Sequence, residues 1–260
     1  MSTQDFDHFM DKVLQKTGID LRKYKRPQME RRLTALRDKR GFQDFDSYFQ
    51  FITDNPVMFD EFLDRMTINV SEFFRNANRW DVLNARIIPE LLAHRKKLRI
   101  WSAACSTGEE PYTLAILLQQ HGVLGQSYIL ATDIDASALK RAQLGIYEAK
   151  SMQEMPQDIV RNYFQKYDAT QFQIAPEIRK AVTFRKQNLL SDSFENDFDL
   201  IICRNVIIYF TDDAKHVLYQ KFSKSLRNGG VLFVGSTEQI FNPAAYHLKM
   251  YDTFFYMKDR

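Results

Sequence analysis

The sequence predicts an α/β protein with a doubly wound, mostly parallel sheet, preceded by a small all-α domain. From about residue 95, short apolar runs alternate with helical patterns, which is typical of a parallel sheet. Before about residue 65, apolar positions recur at helical spacing and are interrupted at Gly18, Gly41 and Asn55-Pro56. The candidate strands are 98–103, 127–132, 181–185, 198–203 and 230–235, and the candidate helices are 111–121, 136–144 and 212–227.

These elements divide the chain into a helical domain at 1–65, a linker at 66–95 and an α/β domain at 96–260. The last candidate helix is expected to stop at Asn228-Gly229-Gly230. Residues 246–257 predict a closing strand that pairs with a neighbour near 237–241. An insertion at about 147–182 contains a short helix near 156–164 and two short stretches on either side of Pro176. Those stretches are 172–174 and 178–180.

The bulk composition indicates an intracellular protein. A chain of 260 residues with a net charge of +3 can bury a large core, and its charge does not predict wholesale nucleic-acid binding. Cys105 and Cys203 lie in apolar, strand-like contexts, so buried reduced thiols are expected and no metal site is. The sequence shows no leader peptide and no run of about 18 apolar residues, so we expect a cytoplasmic protein without membrane insertion. Nothing in the sequence demands more than a monomer.

The most informative segment is 98–114, where an apolar strand ends in a small-residue loop and a helix begins near Tyr112. This arrangement lets the backbone approach a nucleotide-like ligand closely. The loop carries Glu109 and Glu110 where a dinucleotide site would carry glycines. Because carboxylates repel a pyrophosphate and attract a cation, the segment favours S-adenosylmethionine, whose ammonium and sulfonium groups are positive.

Acidic residues follow the second strand at Asp133 and Asp135. An acidic side chain at this strand tip can accept hydrogen bonds from ribose hydroxyls. Either residue could instead cap the helix that starts near Ala136. We expect Asp135 to be the cap and Asp133 the ligand.

Two further groups follow later strands. Asn205 and Tyr209 come after the 198–203 strand, which should adjoin the first strand at the ligand-binding switch point. Between them, Val206 and its apolar neighbours are expected to be core. After the 181–185 strand, Asn188 could bond the edge of an adenine and Leu189 could cover its face.

The linker carries Asn69, Ser71 and Arg75 around a Phe73-Phe74 pair. Ser71 could cap the next helix, and the phenylalanines could simply be buried. The polar cluster instead suggests a segment that covers a ligand in the sheet crevice. The Arg75 guanidinium could then orient a substrate carboxylate.

Residues 22–40 hold nine basic side chains against Glu30 and Asp38. A solvated helix face would explain such a run, and so would docking onto an acidic partner. The basic residues are Arg22, Lys23, Lys25, Arg26, Arg31, Arg32, Arg37, Lys39 and Arg40.

Four motifs together resemble the CheR family of chemotaxis-receptor protein-glutamate O-methyltransferases. They are Thr-x-Asn-x-Ser-Glu-Phe-Phe-Arg (67–75), Ser-Ala-Ala-Cys-Ser-Thr-Gly-Glu-Glu-Pro-Tyr (102–112), Ala-Thr-Asp-Ile-Asp (131–135) and Cys-Arg-Asn-Val-Ile-Ile-Tyr-Phe (203–210). The resemblance implies a Rossmann-like methyltransferase sheet with an antiparallel last strand, an all-helical N-terminal domain and a small inserted β subdomain. It also implies methyl transfer from S-adenosylmethionine to receptor glutamates, with S-adenosylhomocysteine as the other product.

The same resemblance implies roles for individual residues. Arg75 and Tyr209 would lie near the transferred methyl, and either Glu109 or Glu110 would contact the cofactor. The basic helix would dock the glutamate-bearing helical bundle of a chemoreceptor through Arg22, Lys23, Lys25, Arg26, Arg31, Arg32 and Arg37. The other residues implied at the cofactor site are Asn69, Ser71, Asp133, Asn188, Leu189, Asn205 and Val206.

The insertion resembles the subdomain with which some family members grip a receptor-tail peptide, and it could equally be a cover on the sheet edge. Two other functions stay open at this stage. A nucleic-acid methyltransferase could place the basic helix on phosphate, although a broadly basic surface would then be expected. A non-catalytic S-adenosylmethionine-binding regulator would keep the cofactor site without turnover.

Overall fold

A computed structural model describes residues 3–67 and 71–259, which form two compact units. Of the described residues, one unit comprises 3–67 together with 206–218, and the other comprises 71–205 together with 219–259. The first unit contains α1 (Thr3–Thr17), α2 (Arg26–Lys39), α3 (Phe45–Thr53) and α4 (Pro56–Met66). The segment 206–218 adds a 3₁₀ helix at Ile207–Tyr209 and the first part of a helix that runs over Asp212–Ser225.

Local sequence signals explain where these helices begin. The Asp44 carboxylate accepts the Ser47 N–H at 2.7 Å and caps α3. The Asn55 side chain caps α4 in the same way, and Pro56 occupies its first turn, where no N–H is needed. The helices pack on a cluster of aromatic rings centred on Phe9, whose ring lies 4.7 Å from that of Phe45.

The second unit begins with α5 (Ala77–Val82), one π-helical turn (Leu83–Ile87) and α6 (Ile88–His94). Strands and helices then alternate, and the chain closes with a hairpin. These elements are β1 (Arg99–Ala103), α7 (Glu109–Gln120), β2 (Tyr128–Asp133), α8 (Ala136–Leu144), β3 (Ile146–Glu148), α9 (Gln157–Tyr163), β4 (Phe164–Lys166), β5 (Gln171–Ile174), α10 (Pro176–Lys180), β6 (Val182–Lys186), β7 (Phe198–Cys203), α11 (Asp212–Ser225), β8 (Leu226–Val234), β9 (Leu248–Asp252) and β10 (Phe255–Lys258).

The main sheet has seven strands in the order β6-β2-β1-β7-β8-β10-β9. Strands β6, β2, β1, β7 and β8 run parallel, and β10 is antiparallel to both β8 and β9. The predicted doubly wound fold with an antiparallel end is confirmed. Because the chain proceeds from β1 to one side and returns to β7 on the other, the switch point lies between β1 and β7.

The insertion forms a second, antiparallel sheet in the order β3-β5-β4. In this sheet Tyr147 pairs with Phe172, and Gln165 pairs with Gln173. The stretch 172–174 therefore lies in a strand, whereas 178–180 lies in α10.

Two sequence expectations at the end of the chain were wrong. Helix α11 ends at Ser225, and the Asn228–Gly230 stretch lies inside β8. A Cβ at Gly230 would lie 2.8 Å from the Phe198 carbonyl oxygen, so the glycine serves a close approach of β7 and not a helix end. The closing strand is a β9–β10 hairpin that pairs with β8, not with residues 237–241.

The core of the main sheet lies on both of its faces. On one face, Trp101 of β1 contacts Phe198 of β7 and Phe222 of α11 at ring-centroid distances of 5.6 and 5.5 Å. Cys105 and Cys203 are buried free thiols, as the sequence predicted. The predicted site residues of this unit lie at the carboxyl ends of the parallel strands, above this core.

Candidate functional site

The loop between β1 and α7 makes two unusual backbone turns. Ala104 and Ser106 both adopt positive φ angles, +62° and +48°, although neither is glycine. Such conformations cost free energy and persist where the surroundings hold them. The Cys105 N–H donates to the Thr132 carbonyl at 2.9 Å, and the Ser106 N–H donates to Asp133 Oδ2 at 2.7 Å. The loop is therefore fixed to the end of β2.

Gly108 ends this loop in a position that no other residue could fill without displacement. Its φ is +93°, and a Cβ would lie 2.9 Å from the Ala142 Cβ and 3.1 Å from the Tyr147 hydroxyl. The Tyr147 hydroxyl itself donates to the Thr107 carbonyl at 2.7 Å. Sequence reasoning missed Tyr147, since nothing in the loop motif indicates a support from the inserted segment.

Asp133 lies at the tip of β2 and joins the two neighbouring loops. Its Oδ1 accepts the Asp135 N–H at 2.9 Å, and its Oδ2 accepts the Ser106 N–H. Burial raises the pKa of Asp133 to about 6, although these backbone hydrogen bonds oppose the rise. Asp135 caps α8 through the N–H groups of Ser137 and Ala138, so its predicted capping role is confirmed.

The side chains of Glu109 and Glu110 have different hydrogen-bond partners. Glu109 accepts a hydrogen bond from the Thr107 hydroxyl at 2.7 Å and another from Ser71. Glu110 accepts from the Ser102 hydroxyl at 2.9 Å and lies 3.6 Å from a guanidinium nitrogen of Arg204. Burial raises the pKa of both carboxyls. Ser71 thus contacts the loop and does not cap the next helix, whose N-cap position is occupied by Asn76.

Arg204 is a buried cation that sequence reasoning missed. Besides its approach to Glu110, it donates to the Arg75 carbonyl at 2.9 Å and to the Asn76 side-chain oxygen at 2.8 Å. Trp80 donates to the same Arg75 carbonyl at 3.1 Å. Burial lowers the pKa of Arg204, the Glu110 carboxylate opposes that change, and the positive charge of Arg75 lowers the pKa further. A charged residue directly after a buried strand was the available signal.

The segment that carries Arg75 is held by its apolar residues. Phe73 and Phe74 are buried, as predicted, and the Phe73 ring lies 4.8 Å from that of Tyr147. The Phe73 N–H donates to the Ser151 carbonyl at 3.0 Å. Arg75 itself is half-buried. Its backbone is therefore fixed on the second unit while its side chain keeps partial access to solvent.

Asn205 follows β7 and is held by a second buried group that the sequence did not reveal. Glu238 Oε2 accepts the backbone N–H groups of both Asn205 and Gly235 at 2.7 Å. Glu238 is 4% exposed. Its position in the Gly-Ser-Thr-Glu stretch after β8 resembles that of other strand-tip acids, and that pattern was the signal available.

Asn188 and Leu189 form the turn after β6. Asn188 Oδ1 accepts the Leu190 N–H at 3.0 Å, and Leu189 is buried. Just before them, the Gln187 N–H donates to the Asp133 carbonyl at 2.9 Å, which joins this turn to the tip of β2. The Gln187 side-chain oxygen is buried and has no hydrogen-bond partner within residues 3–67 and 71–259.

Three predicted residues fall outside this group. Asn69 lies outside the described residues. Val206 and Tyr209 belong to the first unit, in the segment 206–218. There the Tyr209 carbonyl accepts the Lys25 N–H at 2.8 Å, and the Arg32 guanidinium lies over the Tyr209 ring, 5.6 Å from its centroid.

The predicted docking residues of the first unit differ in how available their charges are. Arg22 pairs with Asp11 and Asp20, and Arg26 pairs with Asp7 and Glu30. Lys25 and Arg31 are exposed, whereas Lys23 and Arg32 are half-buried.

Arg37 does not reach the surface, contrary to its predicted docking role. It is 5% exposed, lies 4.8 Å from the Phe45 ring centroid and pairs with Asp38. Because it follows Leu33 by one helical turn, it lies on the buried face of α2.

Comparison with known families gives two consecutive matches. Residues 4–67 match the model of the CheR methyltransferase all-alpha domain, and residues 69–254 match the CheR methyltransferase SAM-binding domain. The chain belongs to the CheR methyltransferase family. The family recognised from four sequence motifs is thereby confirmed.

Several curated relatives of this CheR chain carry the name chemotaxis protein methyltransferase. One from Listeria innocua serovar 6a is 48% identical over 256 residues, which cover 98% of this chain and 97% of that protein. One from Listeria monocytogenes serovar 1/2a is 46% identical over the same shares of both chains. One from Borreliella burgdorferi is 35% identical over 86% of this chain and 83% of that protein.

Membership of this family shows that the chain is a chemotaxis methyltransferase that uses S-adenosylmethionine. The second unit fits that cofactor because three features lie at the carboxyl ends of its parallel strands. They are the buried carboxylates, the β1–α7 loop that ends at Gly108, and the Gln187 side-chain oxygen, which has no hydrogen-bond partner among the described residues. Within the described ranges, no cluster of three or more His, Cys, Asp or Glu side chains could hold a metal ion. No helix in those ranges is long and apolar enough to cross a membrane.

Proposed function

We propose that this CheR chain transfers a methyl group from S-adenosylmethionine to glutamate side-chain carboxylates of chemoreceptors. The products are a glutamyl methyl ester and S-adenosylhomocysteine, and the modification serves sensory adaptation. Relatives named chemotaxis protein methyltransferase, matched over nearly the whole chain, support this proposal.

We infer the chemical class of the methyl acceptor from the loops that follow the parallel strands of the second unit. They contain no histidine, since the five histidines are at positions 8, 94, 121, 216 and 247. Their carboxylates, Asp133, Glu109 and Glu110, already accept hydrogen bonds from the protein itself. A hydroxyl or amine acceptor must lose a proton during transfer, and a positioned base is the usual means. A glutamate, with a pKa of about 4.3, is already ionised at neutral pH and needs no base. The protein then has to supply alignment and exclude water.

S-adenosylmethionine supplies an electrophilic methyl group on its sulfonium. On our proposal, Asp133 accepts hydrogen bonds from the ribose hydroxyls, and Glu109 with Ser71 receives the ammonium group. Glu110 is the less suitable of the paired glutamates, because Ser102 and Arg204 already engage it. The remaining contacts are assigned to Asn69, Asn188, Leu189, Asn205 and Val206.

Arg75 and Tyr209 are proposed to act on the incoming carboxylate. The Arg75 guanidinium would bond its oxygens and orient them toward the methyl group, for which a planar fork is suited. Its backbone carbonyl is held by Arg204 and Trp80, so the side chain starts from a fixed point. The Tyr209 hydroxyl would donate a further hydrogen bond at the same reacting centre.

The proposed partner is the cytoplasmic helical bundle of a chemoreceptor, which places the reaction in the cytoplasm. Helix α2 and the residues just before it would approach it through Lys23, Lys25 and Arg31, with Arg22 and Arg26, whose charges are partly compensated, at the margin. Charge complementarity of this kind accelerates encounter more than it strengthens the complex. Nothing in this scheme requires more than a monomer.

The proposal is tested by incubating the protein and methyl-labelled S-adenosylmethionine with a receptor cytoplasmic fragment, DNA or RNA. Label on the receptor fragment that alkali releases as methanol is the expected result, since esters hydrolyse readily in base. Alkali-stable label on nucleic acid would establish a different acceptor. Cofactor binding without label on any of the three would indicate a regulator that does not catalyse transfer.

A further inference from the structure

The segment that carries Tyr209 is attached to the entry of α2 by backbone hydrogen bonds. The Lys25 N–H donates to the Tyr209 carbonyl at 2.8 Å, and the Thr211 N–H donates to the Lys23 carbonyl at 2.9 Å. Tyr24 and Phe210 form the antiparallel bridge between these bonds, and their rings meet edge to face at 5.2 Å. The backbone of Tyr209 is therefore fixed by the helix that carries the basic residues.

Arg32 holds the side chain of Tyr209 from the same helix. Its guanidinium lies 5.6 Å from the Tyr209 ring centroid, within the range of a cation–π contact. Its Nη1 donates to the Met66 carbonyl at 2.9 Å, at the last residue of α4. Partial burial lowers the pKa of Arg32, and its charge also interacts with the Tyr209 hydroxyl.

Arg32 therefore differs from the basic residues near it in α2 and just before α2. Arg31 beside it is exposed, and Arg22 and Arg26 bond acidic side chains of the same unit. The contacts of Arg32 are an aromatic face and a helix-end carbonyl. An arginine can serve both at once, because its planar group stacks while its edge donates; a lysine cannot.

We propose that Arg32 is a positioning residue for the Tyr209 side chain; this inference rests on the function proposed above, in which Tyr209 acts on the incoming carboxylate. Arg32 fixes the Tyr209 ring between α2 and the end of α4, so the hydroxyl points in one direction before the receptor arrives. Its contribution is to the rate of transfer and not to receptor affinity.

Steady-state kinetics with the receptor fragment separate this role from docking. Arg32→Ala should lower kcat about tenfold and change KM for the fragment less than about threefold. Arg31→Ala should show the opposite pattern, a raised KM with little change in kcat, because an exposed charge contributes to encounter. Gln28→Ala, an exposed and uncharged site on α2, serves as the control for the helix itself.

Conservative variants distinguish positioning from charge. Arg32→Lys keeps the charge but should leave kcat within about threefold of Arg32→Ala, since it cannot stack and donate together. Arg32→Gln keeps a donor for the Met66 carbonyl, so it takes the place of Arg32→Ala in these measurements if the alanine variant unfolds. Full recovery of kcat by Arg32→Lys, or an Arg32→Ala variant that only raises KM, would overturn the proposal.

A readout without turnover separates this inference from the proposed function. With 3-fluorotyrosine at position 209, the fluorine resonance should shift in Arg32→Ala and stay unchanged in Arg31→Ala. An unshifted resonance would contradict the contact even in an active enzyme. If the wild type formed no ester while the resonance shifted as expected, the proposed function would fail and the positioning of Tyr209 would stand.

Discussion

The carboxylate of Glu238 holds Asn205 at the end of β7 by accepting its backbone N–H at 2.7 Å. The same oxygen accepts the Gly235 N–H at the end of β8. One buried acid thus joins the ends of the neighbouring strands β7 and β8. On the other side of the switch point, Asp133 joins the end of β2 to the β1–α7 loop. The candidate cofactor site is framed by these two carboxylates.

Removing Glu238 should weaken cofactor binding without unfolding the protein. Glu238→Ala leaves two backbone N–H groups without their acceptor, each at a cost of about 1–3 kcal/mol. We expect affinity for S-adenosylhomocysteine to fall about 10- to 100-fold in calorimetry. Glu238→Gln keeps a carbonyl acceptor and should bind within about fivefold of the wild type. Wild-type affinity in Glu238→Ala would show that Asn205 is placed by other contacts.

Gly108→Ala should destabilise the second unit. The substitution combines a positive φ with a Cβ contact of 2.9 Å to Ala142, and strain and overpacking each cost about 1–3 kcal/mol. Denaturant unfolding should show a loss of about 2–5 kcal/mol. Gly125→Ala is the matched control, since nothing lies within 4 Å of its Cβ. Equal stability of the two variants would mean that the loop relaxes freely.

Cofactor affinity should depend on pH through Asp133. Its pKa of about 6 means that the carboxylate is ionised above that pH and becomes protonated below it. Since the pKa values of Glu109 and Glu110 are also raised, the site loses negative charge as the pH falls. Affinity should therefore weaken below about pH 6, and more for the sulfonium-bearing donor than for its thioether product. Equal pH profiles for the two ligands would contradict this electrostatic account.

The ionisation of Asp133 has the opposite effect on the stability of the fold, which should fall as the pH rises. Because the folded-state pKa of Asp133 is raised from 3.8 to about 6, the native state retains its proton more strongly than the unfolded chain. The stability contributed by Asp133 is complete below 3.8 and is lost as the pH rises through about 6. Asp133→Asn should consequently gain stability relative to the wild type across that interval, in denaturant unfolding at each pH. If the difference in unfolding free energy between the variant and the wild type did not change with pH, the pKa of Asp133 would be close to its ordinary value.

Salt should slow the reaction by weakening receptor docking. The screening length is about 8 Å at physiological ionic strength, and exposed charges are the most affected. We expect kcat/KM for the receptor fragment to fall with added salt while kcat stays constant, and Arg31→Ala to reduce that slope. Arg37→Ala is the control, because its guanidinium is buried and its loss should lower stability without changing the slope. Equal slopes in all three proteins would exclude α2 as the docking surface.

Much of the fold could be predicted because its pattern is local. The strand of Ile129 and the helix of Ala138 follow from apolar periodicity and from the Asp135 cap, and both occur within a residue of their predicted bounds. The helix stop predicted at Asn228-Gly229-Gly230 was wrong for a non-local reason, which is the position of Gly230 against β7. A glycine that ends a helix and a glycine that admits a neighbouring strand look alike in one sequence, and only β7 distinguishes them.

The supports of the candidate site could not be predicted in the same way. Arg204, Glu238 and Tyr147 act on loops far from them in sequence, through bonds to Arg75, Asn205 and Thr107. The burial of Arg37 was likewise hidden by the run of charges around it, since composition does not reveal which face of α2 is covered. Motifs indicate which groups face a ligand, whereas the groups that hold them depend on the completed fold.

The central claim is that this chain esterifies a glutamate carboxylate of a chemoreceptor, and peptide mass spectrometry tests it most directly. A receptor cytoplasmic fragment treated with the protein and S-adenosylmethionine should gain the mass of a methylene unit on glutamate-containing peptides. Alkali should remove that increment, and Arg75→Ala should prevent it while the cofactor still binds. An increment that survives alkali, or that lies on another residue type, would contradict the account.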